Sequence, residues 1–168
     1  AVNFLNPLLN VYKIASADIN NLPLLEQIAS KKKPIILSTG ASSLKEIKDA
    51  TKVLKKNGCP NISLMHCILN YPTQNKNANL NMIKGLQEHF PNFTIGYSDH
   101  TVPDKNMITL LNAYLKGAKI IEKHFTYNKN LKGNDHYHSM DHEDLKIFFK
   151  NLDLILETSG LKKKKFLK

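Results

Sequence analysis

The chain has 168 residues, of which 42% are hydrophobic and 23% are charged, as in a globular domain with one core. Its formal net charge is +10, yet every basic residue is a lysine, which argues against a protein that reads nucleic-acid bases through arginine. No apolar run approaches the roughly 20 residues that span a bilayer, and two cysteines are too few for a disulfide framework. We therefore expect a cytoplasmic protein that binds neither nucleic acid nor membrane.

Short apolar runs alternate with helical patterns along the chain. The runs show little polar alternation, which is typical of parallel strands that are buried on both faces. The predicted strands are Val11–Ser16, Pro34–Thr39, Ile62–Cys67, Phe93–Ser98 and Lys119–Phe125. The predicted helices are Leu22–Lys32, one that begins with a capping box at Ser43 and Glu46 and stops at Gly58, Asn79–Phe90, Asp104–Lys116, and one from near Asp141 that stops at Gly160.

Five strand–helix units in succession predict an α/β fold with a parallel sheet, either an open doubly wound sheet or a barrel. No Gly-x-Gly-x-x-Gly follows the first strand, and polar residues gather at the carboxyl ends of the strands, where barrel enzymes carry their active sites. A whole barrel takes about 250 residues. We therefore expect a partial TIM (β/α)₈ barrel, with residues 1–160 forming about five C-terminal βα units and residues 161–168 a basic tail.

Two histidines, His100 and His124, stand at the carboxyl ends of neighbouring predicted strands, close after Asp99 and Glu122. Neighbouring parallel strands lie about 4.8 Å apart, so both imidazoles can reach one divalent metal ion that polarises a carbonyl oxygen. The alternative is a pair of hydrogen-bonded structural histidines. Asp99 and Glu122 either orient an imidazole or form ion pairs with lysines, and the sequence does not distinguish the two.

A second group of polar residues, at the ends of the first two strands, suits an anion. Lys13 and Ser16, with Ser38 and Thr39 from the next unit, offer one ammonium and several hydroxyls for a phosphate or a carboxylate. The alternative is a lysine that extends its ammonium into water beside two helix caps. Tyr71, after the third strand, either lines the same pocket or closes its loop.

A polar loop, Gly133–Ser139, follows the last predicted strand. Asp135 in this loop can accept a hydrogen bond from a sugar hydroxyl. His136 and His138 can bind a metal, although a solvated or capping role is the favoured interpretation for both. The loop is therefore predicted to contribute to substrate specificity.

Several motifs, in this order, resemble those of the N-acetylneuraminate (sialic acid) synthase family. They are YKIAS at Tyr12–Ser16, NNLPLLEQIA at Asn20–Ala29, KPIILSTG at Lys33–Gly40, HC at His66–Cys67, YPT at Tyr71–Thr73, IGYSDHT at Ile95–Thr101, GAKIIEKHFT at Gly117–Thr126 and GNDHYHS at Gly133–Ser139. The pair IGYSDHT and IIEKHFT at this separation is specific, whereas STG alone is weak. The resemblance extends from Tyr12 to Leu156, nearly the whole chain.

The resemblance implies a TIM barrel and a role for each matched residue. His100 and His124 would bind a divalent metal, with Mn²⁺ expected and Mg²⁺ or Co²⁺ as alternatives. The residues implied to bind phosphoenolpyruvate are Lys13, Ser16, Ser38 and Ser98. Tyr71 would line the pocket, Asp135 would bind the sugar, and Asp18 would stand where the family has a sugar-binding glutamate.

Departures from the family pattern leave the sugar open among the neuraminate, legionaminate and pseudaminate precursors. Asp18 is one methylene shorter than glutamate, Leu69 replaces a small polar residue, and Asn134 replaces a loop proline. The resemblance also implies a glutamate base and a further lysine on early strands, and a small C-terminal domain after the basic tail, none of which this sequence contains. We expect no catalytic base within these 168 residues, no turnover by the chain alone, and a homodimer at full length.

The activity that the resemblance implies is the condensation of phosphoenolpyruvate with an acylamino sugar such as N-acetylmannosamine, which gives a nonulosonic acid and phosphate. Carbon-3 of phosphoenolpyruvate would attack the sugar aldehyde polarised at the metal, water would add at carbon-2, and phosphate would leave by C–O cleavage. Two rival functions are a metal-dependent aldolase on the same barrel, which would accept pyruvate, and a basic non-catalytic nucleic-acid-binding domain, which predicts salt-dependent binding without metal.

Overall fold

The structure, a computed structural model, describes residues 1–160 and contains a sheet of five parallel strands. The strands are β1 (Tyr12–Ile14), β2 (Ile35–Ser38), β3 (Ile62–His66), β4 (Thr94–Asp99) and β5 (Ile121–Lys123). Each strand pairs with the next one along the chain, so the spatial order is β1-β2-β3-β4-β5. Doubly wound sheets reverse their strand order at a switch point, and this sheet does not. The prediction of a partial (β/α)₈ barrel is confirmed.

The inner strands are buried on both faces, as their continuous apolar runs predicted. Leu37 on β2 and Leu64 on β3 are completely buried, and Tyr97 on β4 is 1% exposed. At the two edges, β1 alternates between buried and exposed residues and β5 is only partly buried. An edge strand has a hydrogen-bonding partner on one side only, which explains why both edge strands are shorter than predicted.

Six α-helices accompany the strands in the described part of the chain. They are α1 (Val2–Leu5), α2 (Leu22–Ala29), α3 (Leu44–Lys56), α4 (Asn81–His89), α5 (Ile108–Leu115) and α6 (His142–Ser159). The helices α2 to α6 follow the five strands as predicted, whereas the single turn of α1 was not predicted. Two 3₁₀ turns lie near the predicted site: Ser16–Asp18 carries two of its residues, and His136–His138 directly follows Asp135. The predicted basic tail, 161–168, lies outside the described residues.

The helix termini follow the predicted capping signals. The side chain of Ser43 accepts the backbone N–H of Glu46, whose carboxylate accepts the backbone N–H of Ser43 in return, which confirms the capping box. α5 begins later than predicted because the Asp104 carboxylate accepts the N–H groups of Asn106 and Ile108, both at 2.9 Å, and so holds a non-helical turn before the helix. None of the described helices is long and apolar enough to cross a membrane.

The cap of α3 provides a local test of the fold. Replacing Ser43 with alanine is expected to lower the free energy of unfolding by about 1 kcal/mol, because the N–H of Glu46 loses its acceptor. Ser42→Ala is the matched control, since the buried hydroxyl of Ser42 has no hydrogen-bond partner and its removal is expected to be neutral or slightly stabilising. Urea unfolding of the two variants measures the difference, and equal losses would contradict the assigned cap.

Candidate functional site

A cavity of about 220 Å³ lies at the carboxyl ends of the strands, where the sequence predicted the site. The sequence-predicted residues that line it are Lys13, Ser16, Ser38, Tyr71, Ser98, His100 and His124. Asp18 and Asp135 lie outside this lining: Asp18 ends the 3₁₀ turn after β1, and Asp135 precedes the turn before α6. Cys67 and Glu122, which were not among the predicted ligands, also line the cavity.

A hydrogen-bonded network connects the two edges of the sheet across one side of the cavity. The ammonium of Lys13 donates to the hydroxyl of Ser38 at 2.8 Å and lies 3.4 Å from Glu122 Oε1. The hydroxyl of Ser98 donates to the same carboxylate oxygen at 2.6 Å. Lys13 is therefore held over the cavity by its neighbours, with 36% of its side chain still exposed to a ligand. Ser16, by contrast, is buried at the cavity wall.

The two predicted metal ligands lie side by side. The ring centroids of His100 and His124 are 5.4 Å apart with an interplanar angle of 69°. His100 Nδ1 lies 2.8 Å from the carbonyl oxygen of Ile68, a partner that can only accept, so Nδ1 carries the proton and Nε2 of the neutral ring keeps its lone pair. Burial lowers the pKa of His100, which further favours the neutral ring.

The two acidic residues beside these histidines pair with lysines, which resolves the alternative that the sequence left open. Asp99 accepts from the ammonium of Lys123 at 2.7 Å, and each of these side chains is 1% exposed. Asp99 also accepts from the Tyr97 hydroxyl at 2.8 Å and from Thr101. Glu122 pairs with Lys13. Neither carboxylate has a hydrogen bond to an imidazole among the described residues.

A third histidine joins the site from the loop before α6. The potential ligand atoms of His124, Asp135 and His138 all lie within 4.8 Å of one another. His138 is 0% exposed, and neither of its ring nitrogens has a hydrogen-bond partner. His136 turns elsewhere, with its Nδ1 2.8 Å from the Thr126 hydroxyl, and it lies outside this group of ligand atoms. Sequence reasoning did not favour His138 as a ligand, and its only signal was a second imidazole two residues after His136.

Tyr71 stands among the three imidazoles. Its ring centroid lies 4.1 Å from that of His100, 5.8 Å from that of His124 and 6.0 Å from that of His138. Burial raises the pKa of the Tyr71 hydroxyl, so the group stays protonated near neutral pH and can donate a hydrogen bond. Tyr71 thus forms a wall of the cavity, one of the two roles that its position in the sequence allowed.

This donor set fits a divalent cation. Two imidazoles that bind one ion at about 2.1 Å have ring centroids about 5 Å apart. The pairs His100–His124, at 5.4 Å, and His124–His138, at 5.2 Å, both match this spacing. The unpaired nitrogens of His138 are a second indication, because buried polar atoms without a partner are rare. Imidazole together with carboxylate suits Mn, Fe, Co or Zn. His124 belongs to both of these histidine pairs.

Comparisons with known proteins agree with the motifs. An N,N'-diacetyllegionaminic acid synthase of Campylobacter jejuni is 42% identical over 163 residues, which are 95% of this chain and 48% of that protein. An N-acetylneuraminate-9-phosphate synthase of Drosophila melanogaster is 39% identical over 134 residues, which are 80% of this chain and 35% of that protein. The chain therefore spans less than half the length of these relatives.

Solved structures give the same result. The crystal structure of an N-acetylneuraminic acid (sialic acid) synthetase from Leptospira borgpetersenii, in complex with citrate, matches 95% of this chain and 54% of its own with a TM-score of 0.83 and 36% identity. A truncated 3-deoxy-D-arabino-heptulosonate 7-phosphate synthase from Thermotoga maritima, at 18% identity and a TM-score of 0.78, shares the fold. The family model described as NeuB matches residues 1–164. The resemblance read from the motifs is thus confirmed, and the chain belongs to the NeuB family.

Proposed function

We propose that this chain is part of a nonulosonic acid synthase, which joins carbon-3 of phosphoenolpyruvate to the aldehyde carbon of an open-chain acylamino sugar and releases phosphate. The observation that carries the proposal is one cavity with a lysine and serines on one side and imidazoles on the other. Relatives that are named as legionaminic acid and neuraminate-9-phosphate synthases support the reaction class.

The lysine side of the cavity is the proposed phosphoenolpyruvate site. Lys13 binds the anion through its ammonium, and the hydroxyls of Ser16 and Ser38 donate hydrogen bonds to phosphate or carboxylate oxygens of the ligand. Ser98 joins them when its hydroxyl turns from Glu122 to the ligand. Glu122 keeps the ammonium of Lys13 over the cavity before the ligand arrives. Because this charge is positioned in advance, little reorganisation is needed when phosphoenolpyruvate binds.

The imidazole side is the proposed metal site, with His100 and His124 as ligands and Mn²⁺ as the expected ion, Mg²⁺ or Co²⁺ being alternatives. A divalent ion bound there supplies Lewis acidity toward the aldehyde oxygen of the sugar. His100 keeps its proton on Nδ1 through the carbonyl of Ile68, which directs Nε2 toward the ion. Tyr71 packs against His100 and forms one wall of this site.

The loop side is the proposed sugar site. Asp135 is 56% exposed beside the imidazoles and can accept hydrogen bonds from sugar hydroxyls, with Asp18 on the opposite edge as a second acceptor. N-acetylmannosamine is the simplest candidate, and the diacetylated precursor of legionaminic acid is equally compatible with the relatives. We propose that the general base lies in a longer polypeptide that contains this chain, and that this polypeptide forms a homodimer. The Campylobacter jejuni relative, which is about twice as long as this chain, supports a longer polypeptide.

The anion site is tested by Lys13→Met. A hydrogen bond to a charged group is worth about 1.5–3 kcal/mol, so the affinity for phosphoenolpyruvate is expected to fall by about tenfold or more. Isothermal titration calorimetry on the full chain measures the change, and Lys52→Met, which removes an exposed lysine of α3, is the charge-matched control. An equal affinity in the two variants would show that Lys13 does not bind the anion.

Turnover tests the reaction class. Phosphate release is measured with phosphoenolpyruvate, N-acetylmannosamine and Mn²⁺, for the 168-residue chain and for the proposed longer polypeptide. We expect release only by the longer polypeptide, its loss with EDTA, and its recovery with Mn²⁺. Release by the 168-residue chain would refute the proposed need for an outside base, and turnover of pyruvate in place of phosphoenolpyruvate would assign an aldolase instead.

A further inference from the structure

His138 is the most unusual polar residue of the described chain. Its ring is 0% exposed, yet neither Nδ1 nor Nε2 has a hydrogen-bond partner. A buried polar group that has lost its water without gaining a partner destabilises the folded state. The other buried histidines have partners, since His66 bonds to the carbonyl of Ala78 at 2.9 Å and His100 to that of Ile68 at 2.8 Å. The buried imidazole of His138 therefore indicates a ligand that binds next to it when the site is occupied.

The surroundings of His138 indicate what this partner is. His138 Nε2 lies 3.9 Å from Asp135 Oδ1, and His124 Nδ1 lies 3.7 Å from Asp135 Oδ2. Both separations exceed hydrogen-bond length but leave room for an ion between the atoms. The ring centroids of His124 and His138 are 5.2 Å apart, the spacing of two imidazoles on one ion. His100 is not part of this group of mutually close ligand atoms.

We propose that His138 is a further protein ligand of the cation and binds it together with His124 and Asp135. The inference rests on the metal site of the proposed function and adds His138 and Asp135 to its ligands. Asp135 contributes a carboxylate oxygen to the ion, in addition to or in place of its contact with the sugar. His124 is the ligand shared with the site that the sequence predicted, and His100, whose ring centroid lies 5.4 Å from that of His124, keeps its role as a ligand.

This ligand set has consequences for metal preference. Imidazoles together with one carboxylate would favour Fe²⁺, Co²⁺ or Zn²⁺ over Mg²⁺, because nitrogen donors bind the later transition metals more tightly than hard cations do. We therefore expect tight Co²⁺ binding to depend on His138 and Mg²⁺ binding to be weak.

The test is a Co²⁺ titration of the full chain, followed by calorimetry and visible absorption. His138→Phe is expected to weaken Co²⁺ binding by about tenfold or more, since it removes one nitrogen ligand. His138→Cys is expected to bind Co²⁺ with a new thiolate-to-metal charge-transfer band, measured against the wild type because Cys67 lines the same cavity. His136→Phe is the matched control from the same loop, because its ring bonds to Thr126 and lies outside the ligand group.

The outcomes separate this inference from the proposed function. Unchanged Co²⁺ affinity in His138→Phe, with binding lost in His100→Ala and His124→Ala, would overturn the role of His138 and leave the proposed metal site intact. Absence of the thiolate band in a folded, Co²⁺-bound His138→Cys would overturn it as well. If the wild type binds no metal, both the inference and the metal site of the proposed function are wrong. Phosphoenolpyruvate binding through Lys13 is tested separately, by the calorimetry of Lys13→Met.

Discussion

Replacing Lys123 with methionine is expected to lower the free energy of unfolding by about 3–5 kcal/mol, because it leaves a buried carboxylate without its cation. Lys123 and Asp99 are each 1% exposed, with 2.7 Å between Nζ and Oδ2. The ammonium also donates to the carbonyl oxygen of Thr101 at 2.7 Å, so this acceptor is orphaned too. The Asp99 carboxylate keeps its bonds from Tyr97 and Thr101, but these neutral donors do not neutralise its charge.

An exposed pair provides the control for this prediction. Lys45 and Asp49 are separated by 2.6 Å on α3, with 86% and 47% of their side chains exposed. Lys45→Met is expected to leave the unfolding free energy close to that of the wild type, because water and salt screen an exposed pair. Chemical unfolding in urea measures both variants. A similar small change at the two positions would show that the buried pair does not stabilise the barrel.

The double replacement Asp99→Leu with Lys123→Met separates two contributions to the free energy of unfolding: the stabilisation by the ion pair and the destabilisation by an unpaired buried charge. Removing both charges is expected to recover part of the loss, since two apolar side chains leave no buried charge behind. The recovery is measured as the difference between the double variant and Lys123→Met in the same urea series. Additive losses would mean that the two side chains act independently.

The course of the backbone could be predicted from the sequence because it depends on local patterns. The apolar runs that became β2, β3 and β4 are continuous since both of their faces are buried, and Ser43 and Gly58 mark the ends of α3 by local chemistry. The alignment of His100 with His124 followed from the same reasoning, because parallel strands bring their carboxyl ends to one side of the sheet.

The partners of charged side chains could not be predicted, because they depend on register. Asp99 lies opposite Lys123 and Ser98 opposite Glu122 in the β4–β5 ladder. A shift of one residue would have placed each side chain on the other face of the sheet. Pairing with lysine rather than histidine is therefore a property of the three-dimensional ladder, and the two interpretations of Asp99 were equivalent in the sequence.

The environment of His138 was beyond sequence reasoning for a different reason. The loop that carries it has no repeating pattern, and its path is set by contacts with distant segments, such as the bond from the Tyr137 hydroxyl to the backbone of Tyr71. Burial of a loop side chain is therefore decided by tertiary packing, and two histidines separated by one residue in the sequence have opposite environments. His136 bonds to Thr126, whereas His138 faces His124.

Gly96 on β4 is expected to tolerate no side chain. A Cβ atom at this position would lie 2.7 Å from the carbonyl oxygen of Ile120 and 2.9 Å from its Cβ, and closer still to the sulfur of Met65. The methionine can move, but the Ile120 backbone cannot, because its carbonyl accepts the N–H of Tyr97 at 2.8 Å. Overpacking of a core costs about 1–3 kcal/mol, and a collision with hydrogen-bonded backbone belongs at the upper end. Gly96→Ala is therefore expected to destabilise the fold by about 3 kcal/mol.

Gly85 on α4 is the matched position, because a Cβ atom there would have no neighbour within 4 Å. Gly85→Ala is expected to stabilise the protein by about 0.5–1 kcal/mol, since alanine loses less backbone entropy than glycine when a helix forms. The same substitution is thus expected to act in opposite directions on β4 and α4, and thermal unfolding of the two variants measures both. A stable Gly96→Ala protein would mean that β4 and the segment before β5 separate without cost, so the edge of the half-barrel would be looser than its hydrogen bonds indicate.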